Sequence, residues 1–248
     1  MDRVQPCAEA IEDETLDDGL TVHELRIDVP EKGSVSGLML VPRGARSLIV
    51  FAHGAGAGMR HPNLESIAHS LARRGIATMR YQFPYMEARS PRTDRPQVAI
   101  ATVIAALEAA RELAPGLRTF IGGHSFGGRM TTLAAASTDL PVDGLILCSF
   151  PLHAPKKPDS RRAEPLGRID KPMLFLSGDR DVMADSWRMT SVVAGLAPLA
   201  RLHWLETADH GYRVLKRTRS SSESVFDEIA RVAARFISGV TDDVELGG

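Results

Sequence analysis

The apolar and polar residues of this chain change their spacing in a regular order. Residues 22–29 and 35–41 each alternate between apolar and polar types, and residues 31–34 have the composition of a turn, so an antiparallel hairpin is predicted. Residues 47–52 form a short continuous apolar run, which is typical of a strand buried on both faces. Residues 63–74 then repeat apolar positions at helical spacing, which predicts the first helix.

The alternation of strand and helix patterns continues to the end of the chain. Five more strands are predicted at residues 76–83, 117–122, 142–149, 173–177 and 199–205. Helices are predicted at residues 97–113, 129–137, about 186–196 and 222–238. This order predicts an α/β fold with a mostly parallel, eight-stranded sheet, helices on both faces and reactive groups at the carboxyl ends of the strands. Residues 151–171 are too few for a separate cap domain.

The two ends of the chain differ from this central region. Residues 1–18 are acidic and are predicted to be a flexible tail, and residues 239–248 are predicted to be a second one, which leaves a single domain at 19–238. The N-terminal segment lacks a cationic start and an apolar core, so it does not resemble a signal peptide. The cytoplasm is therefore the expected location.

Composition narrows the classes of partner. The chain has 248 residues, 44% of them hydrophobic and 25% charged, with a net charge of -1. No overall basic field would attract nucleic acid, and the longest apolar run, 98–107, is too short to span a membrane. The two cysteines, Cys7 and Cys148, suggest neither a disulfide framework nor a metal site. A small-molecule ligand, no metal, no cofactor and a monomer or homodimer are expected.

Residues 122–128 read Gly-Gly-His-Ser-Phe-Gly-Gly and lie between a predicted strand and a predicted helix. A serine between two glycines at such a junction matches the G-x-S-x-G pattern of a nucleophile elbow. The turn is sharp enough that side chains at Gly123 and Gly127 would crowd the serine, and it points the start of the next helix at whatever Ser125 attacks. Ser125 is therefore the candidate nucleophile, and an incidental serine in a glycine-rich turn is the alternative.

A serine hydroxyl needs a base, and histidine has the best-matched pKa. Among eight histidines, His210 is favoured because it follows the last strand and so lies at the same sheet edge as Ser125. His124 is expected to pack beside the elbow, and His153 follows a strand end and is a candidate for the pocket. The others are expected to lie on the surface, in the N-terminal hairpin or within a strand: His23, His61, His69 and His203.

The histidine in turn needs an acceptor that fixes its tautomer. Two aspartates, Asp179 and Asp181, follow the strand at 173–177 and end at the correct edge of the sheet. Asp181 is favoured because it lies deeper in the loop, whereas Asp179 is expected to bind local backbone, and both assignments stay open. Asp209 is adjacent to His210 in sequence, which makes a side-chain bond between them awkward.

Acyl transfer would also need two N–H donors for the developing oxyanion. The Phe126 amide at the start of the helix is the first candidate. The second is the Ala55 amide, in the small-residue loop 53–58 that follows the third strand and is close to the H-G-G-G type. A phosphate-binding loop is the weaker alternative, because the glycines alternate and match neither common phosphate motif.

Residues 80–87 follow a strand end and are expected to overhang the site. Their aromatic side chains suit an apolar acyl or aryl group, although a simple cover for the sheet edge explains them equally well. The predicted pocket residues are His53, Gly54, Gly56, Tyr81, Phe83, Tyr85, Met86 and His153.

The order serine, acid, histidine and the motifs above resemble the α/β-hydrolase superfamily over nearly all of residues 20–238. The strings at 51–59, 83–87, 127–130 and 151–153 more narrowly resemble small bacterial dienelactone-hydrolase-like proteins, related to the hydrolase-like domains of NSL complex subunit 3 and testis-expressed protein 30. The resemblance implies a hydrolase fold without a cap but no particular substrate, since this subgroup includes chromatin-associated scaffolds. Dienelactone hydrolases proper use a cysteine where this chain has Ser125.

The sequence thus favours a serine hydrolase that acts on a small carboxylic ester or thioester, with Ser125, Asp181 and His210 as the catalytic residues. Two alternatives remain at this stage. One is a hydrolase-like interaction module without turnover, and the other is a peptidase of the same fold.

Overall fold

The structure is a computed structural model that describes residues 8–15, 19–154, 157 and 159–245. One sheet of nine strands runs through it, in the order β1-β2-β3-β5-β4-β6-β7-β8-β9. The strands are β1 (Ala8–Thr15), β2 (Leu20–Val29), β3 (Gly33–Pro42), β4 (Ser47–Ala52), β5 (Ile76–Tyr81), β6 (Arg118–His124), β7 (Gly144–Cys148), β8 (Met173–Gly178) and β9 (Ala200–Leu205). The first three pairings are antiparallel and all later ones are parallel, which confirms the predicted α/β class.

The helices cover both faces of this sheet. They are α1 (Pro62–Ala72), α2 (Pro84–Glu87), α3 (Pro96–Leu113), α4 (Phe126–Ser137), α5 (Ser186–Gly195) and α6 (Val225–Glu245), and a 3₁₀ helix spans Arg161–Arg168. Alternate residues of β4 enter two different cores: Val50 packs with α3 and α4, whereas Phe51 packs with α1 and α6. Because both faces are covered, β4 is buried along its whole length, as its continuous apolar run predicted.

The sheet has one strand more than the predicted eight. Residues 8–15, expected to belong to a flexible tail, form β1 and pair antiparallel with β2, Ala8 opposite Ile27 and Thr15 opposite Thr21. The segment lacks an apolar alternation because an edge strand needs only backbone pairing on one side. Ala8 is buried, whereas Ile11 is 61% exposed. Residues 1–7 and 16–18 of the predicted tail lie outside the described residues.

The C-terminal helix is also longer than expected. The sequence predicted a helix that ends near residue 238 and a flexible tail from residue 239. In the structure, α6 continues to Glu245. Phe236, Ile237 and Val240 are buried against the sheet, so the apolar face carries the helix past Gly239. Burial of that face outweighs the glycine's unfavourable helix propensity of about 1 kcal/mol. Residues 246–248 lie outside the described residues.

The carboxyl ends of the parallel strands meet at one edge, where the loops after β4, β5, β6, β7, β8 and β9 converge. The connection between β7 and β8 contains the 3₁₀ helix, which packs against α4. No large cap covers this edge in the part of the chain that the structure describes, in agreement with the sequence expectation.

Candidate active site

Ser125 lies at the junction between β6 and α4 in a strained backbone conformation, with φ 52° and ψ −112°. Residues other than glycine rarely adopt a positive φ, and such strain concentrates at functional sites. A Cβ at Gly123 would lie 2.7 Å from the Ala52 carbonyl oxygen, and one at Gly127 would lie 2.6 Å from the His53 carbonyl oxygen. The two glycines are therefore required by the close approach of the β4 and β6 loops.

The side chains of Ser125, His210 and Asp181 form one continuous hydrogen-bonded chain. The Asp181 carboxylate accepts a bond from His210 Nδ1–H at 2.7 Å, which leaves Nε2 as the acceptor for the Ser125 hydroxyl at 2.8 Å. The Asp181 side chain is fully buried, and its second carboxylate oxygen accepts from the Met183 amide at 2.8 Å. The His210 ring is fixed in the tautomer that can take a proton from serine.

Asp179 and Asp209 have other positions. Asp179 is exposed at the start of the loop after β8, and no hydrogen bond joins its side chain to His210. Asp209 Oδ1 accepts from the amides of Gly211 and Arg213, each at 2.9 Å, and so closes the turn that carries His210. Of the two aspartates that the sequence left open, Asp181 is the one that bonds to His210.

His124 packs beside the elbow, as expected, and also holds the loop that carries His210. Its Nε2–H donates to the backbone carbonyl of His210 at 3.0 Å. The opposite ring nitrogen faces Gly54, where a Cβ would lie only 3.0 Å from Nδ1. Burial, and secondarily the nearby His210, lowers the pKa of His124 to about 4, so the ring is neutral at neutral pH. One imidazole thus fills the space between the elbow, the loop after β4 and the loop after β9.

The two predicted oxyanion donors lie on adjacent segments. Phe126 is the first residue of α4, and Ala55 is exposed in the turn after β4, whose start packs directly against Gly127. Neither amide has an acceptor among the described residues. The Ala55 carbonyl accepts from the Tyr85 hydroxyl at 2.9 Å, which anchors the turn.

Three of the predicted pocket residues are buried beneath the site instead of facing a ligand. His53, Tyr81 and Phe83 are at most 1% exposed, and their rings stack edge-on with each other and with neighbouring aromatics. The sequence placed them in the pocket because they follow strand ends. The chain after β5 instead turns inward, since the Phe83 amide donates to His53 Nε2 at 3.1 Å.

The other predicted pocket residues have mixed positions. Gly56 and Met86 share a groove of about 590 Å³ beside the loop after β4, while Gly54 is buried and Tyr85 is only 4% exposed. His153 is also 4% exposed: its Nδ1–H donates to the Ala154 carbonyl at 2.9 Å, and its Nε2 has no hydrogen-bond partner among the described residues. His153 is therefore buried within the connection between β7 and β8.

Sequence reasoning missed the residues that hold these loops from below. The buried Arg80 guanidinium donates to the Met59 carbonyl at 3.0 Å, and Gln82 Oε1 accepts from the Met59 amide at 2.9 Å. Tyr212, at φ 64°, packs edge-on against His124 with ring centroids 5.5 Å apart. Arg80 and Gln82 could have been noticed in the sequence, because they are polar residues at alternate positions at the end of the apolar run that forms β5.

His53 makes the stability of this region dependent on pH. Burial lowers its pKa to about 4, and its ring is the acceptor for the Phe83 amide, so only the neutral form fits. The unfolded state binds the His53 proton more tightly than the folded state does. The free energy of unfolding is therefore highest above pH 6.5, where His53 is neutral in both states, and it decreases as the pH falls toward 4. We expect the free energy of unfolding to fall by about 2 kcal/mol between pH 7 and pH 5 from this group alone.

Urea unfolding of the wild type and of His53→Gln at both pH values measures this effect. Glutamine offers a donor and an acceptor but does not titrate, so the variant should lose less stability between the two pH values. An equal loss in both proteins would show that His53 is not responsible.

The described residues offer neither a helix that could span a membrane nor a cluster of metal-ligating side chains. None of the helices there is long and apolar enough to cross a membrane. No cluster of three or more histidine, cysteine, aspartate or glutamate side chains within the described ranges has an arrangement that would hold a metal ion.

Comparison with known proteins gives a family match and many structural neighbours. Residues 45–238 match the family described as "Alpha/beta hydrolase domain". Dienelactone hydrolase from Anabaena variabilis ATCC 29413 is 17% identical with a TM-score of 0.67, covering 92% of this chain and 97% of that one. An alpha-beta serine hydrolase homologue from Coxiella burnetii has the same four values. A Xanthomonas campestris protein described as a serine hydrolase without lid is 19% identical, with a TM-score of 0.65 and coverages of 85% and 94%. At these identities the neighbours show the fold alone.

Proposed function

The chain belongs to the alpha/beta hydrolase domain family, and from that premise we propose that it is a serine hydrolase that cleaves a small carboxylic ester or thioester through an acyl-enzyme. The observation that carries the proposal is the unbroken hydrogen-bonded chain from Asp181 through His210 to the strained Ser125. A buried acceptor, an oriented imidazole and a hydroxyl lifted above the sheet are the parts that acyl transfer requires.

In the proposed mechanism, Ser125 Oγ attacks the carbonyl carbon while His210 Nε2 takes the hydroxyl proton. Asp181 keeps Nδ1 protonated and stabilises the imidazolium that forms. The amides of Phe126 and Ala55, which have no other acceptor among the described residues, bind the oxyanion. Each such donor contributes roughly 3 kcal/mol to lowering the barrier.

The remaining steps use the same groups. His210 gives its proton to the leaving oxygen or sulfur, so the bond from the carbonyl carbon to that atom breaks and the acyl group stays on Ser125. Water then attacks the acyl-enzyme with His210 as base, releasing the acid and restoring the hydroxyl. No step needs a metal or a cofactor as a reactant.

Two proteins that share this fold are described as a dienelactone hydrolase and as a cold-adapted esterase, and ester hydrolysis is proposed here in line with those descriptions. The serine at position 125 argues against direct transfer of dienelactone chemistry from a cysteine enzyme. The closer resemblance to NSL complex subunit 3 and testis-expressed protein 30, the cytoplasmic location and a monomeric or homodimeric state stay predictions.

Covalent labelling tests the proposal directly. A fluorophosphonate probe should modify the purified protein at Ser125, as located by peptide mass spectrometry, because an activated serine attacks phosphorus as it attacks a carbonyl. His210→Gln should label much more slowly, since the base is removed. Absence of labelling in the folded wild type would favour the non-catalytic interaction module.

His124 provides a second test, of positioning. We expect His124→Phe to lower kcat for p-nitrophenyl acetate about tenfold with little change in KM, because a loosened His210 loop costs orientation more than binding. His124→Gln offers an amide donor to the same carbonyl and should recover part of the loss. Equal losses in both variants would point to packing instead of the hydrogen bond as the role of His124.

A further inference from the structure

A groove of about 760 Å³ opens on the side of the site where the half-buried His210 meets the solvent. Its walls include His210 itself, His61 and Asn63 at the start of α1, and Val182 in the loop after β8. In the proposed function His210 hands its proton to the leaving atom, so a substrate's leaving group departs on this side. The groove is therefore placed to hold the part of the leaving group that lies beyond the scissile bond.

The side chains around this groove carry an excess of positive charge. Arg180 and Arg213 line it from two different loops, and neither forms an ion pair with a carboxylate of the described residues. Arg180 uses one N–H to hold the Thr207 carbonyl at 3.1 Å, which fixes the guanidinium at the rim. The carboxylate in the lining, Asp209, already accepts two backbone N–H bonds through Oδ1.

The groove continues away from His210. A second groove of about 710 Å³ shares Tyr212, Arg213 and Phe226 with the first. It adds a third cation, Lys216, which has no carboxylate partner among the described residues, and the hydroxyl-bearing Ser221 and Ser222.

The other charged groups of the second groove are compensated. Arg219 pairs with Glu228, and Glu223 pairs with Arg231 at 3.0 Å. Among the described residues along both grooves, three cations without a carboxylate partner, Arg180, Arg213 and Lys216, therefore outnumber the one carboxylate without an ion pair, Asp209. This net positive charge is spread over a space much larger than a small neutral alcohol needs.

We propose that these connected grooves bind a leaving group that carries phosphate, so that the preferred substrates are thioesters or esters of phosphorylated thiols or alcohols. The inference rests on the proposed function and names its substrate class. Arginine guanidinium groups match phosphate oxygens in a bidentate manner, and lysine and serine add further donors. Val182 and Phe226 supply apolar surface for the stretch between the scissile bond and the phosphate.

Matched substrate pairs test this proposal. One pair is S-acetyl-coenzyme A and S-acetyl-N-acetylcysteamine, which share the thioester. The second pair is 1-acetylglycerol 3-phosphate and 1-acetylglycerol, which share the ester. At low ionic strength we expect kcat/KM to favour the phosphorylated member of at least one pair about tenfold, and the preference to shrink with added salt as the charges are screened.

Variants of Arg180 and Arg213 test whether these side chains cause the preference for phosphorylated substrates. Arg180→Gln/Arg213→Gln should reduce the ratio of kcat/KM within the preferred pair about tenfold, and Arg213→Gln alone should reduce it by less. Arg217→Gln is the matched control, because Arg217 is exposed in the same segment but lines neither groove. Thermal unfolding of each variant checks its folding. If the double variant fails to fold, the ratio of kcat/KM in Arg213→Gln alone is compared with that of the wild type.

The outcomes separate this inference from the function on which it rests. Equal turnover within both pairs, or a preference that survives in Arg213→Gln and the double variant, overturns the phosphate site while leaving a Ser125-dependent hydrolase in place. If Ser125→Ala hydrolyses these substrates as fast as the wild type, the proposed function itself fails.

Discussion

Replacement of Ser125 with alanine is expected to lower kcat for p-nitrophenyl acetate at least a thousandfold, and about a million-fold if the assay can follow it. Loss of the nucleophile in a serine, histidine and acid arrangement has effects of this size, because the three groups act as a unit. The oxyanion donors and substrate binding are kept, so a small residual rate above spontaneous hydrolysis should remain. Turnover reduced to this small residual rate, with unchanged folding, is the expected result.

The measurement compares rates corrected for spontaneous ester hydrolysis. Ser137→Ala is a matched control, because it removes an exposed hydroxyl at the other end of α4 and touches none of the proposed machinery. It should keep the wild-type rate. Wild-type turnover by Ser125→Ala would contradict the proposed role of the elbow and would require a different nucleophile.

Replacement of Asp181 with asparagine is expected to lower kcat about ten-thousandfold while the protein stays folded. The side-chain amide is close in size to the carboxylate, but its NH₂ favours the wrong His210 tautomer, with the proton on Nε2, where it cannot accept from serine. Asp181 is fully buried and bonds to His210 at 2.7 Å, so no water replaces this acceptor without rearrangement.

Asp179→Asn is the matched control for this experiment. It makes the same chemical change two residues away, at an exposed position without a bond to His210. We expect its kcat to stay within about twofold of the wild type, as surface substitutions usually have small effects. A large loss in Asp179→Asn together with a small loss in Asp181→Asn would reverse the assignment of the acid.

Much of the architecture was predictable because it is written in local patterns. The alternation of period-two, continuous apolar and helical segments predicted the succession of strands and helices along the chain. Most of the predicted bounds agree with the structure to within about three residues. The two largest differences, β1 and the end of α6, share a cause. An edge strand is held by backbone pairing, and the last turns of α6 by burial of Val240, and neither leaves a strong local signal.

The candidate site, too, was predictable in one part and not in another. Ser125, Asp181 and His210 were proposed from sequence, and the structure brings their side chains together. The pocket was predicted less well: His53, Tyr81 and Phe83 face the interior. Position at a strand end predicts the edge of the sheet that a residue occupies, but whether the chain then turns inward depends on partners elsewhere, such as the bond between the Phe83 amide and His53.

The sequence by itself determined that a serine between glycines lies at a strand-to-helix junction, because that motif and the periodicities around it are local. The need for hydrogen at Gly127 comes instead from the loop after β4, since a Cβ there would lie 2.6 Å from the carbonyl oxygens of Ala52 and His53. Only the tertiary structure decided which aspartate bonds to His210, that His124 holds the His210 loop, and that Arg180 and Arg213 flank one groove. Those contacts join residues up to 86 positions apart, and the register of β6, β8 and β9 sets their distances. Local propensity does not encode such distances, since they arise only when the strands pair.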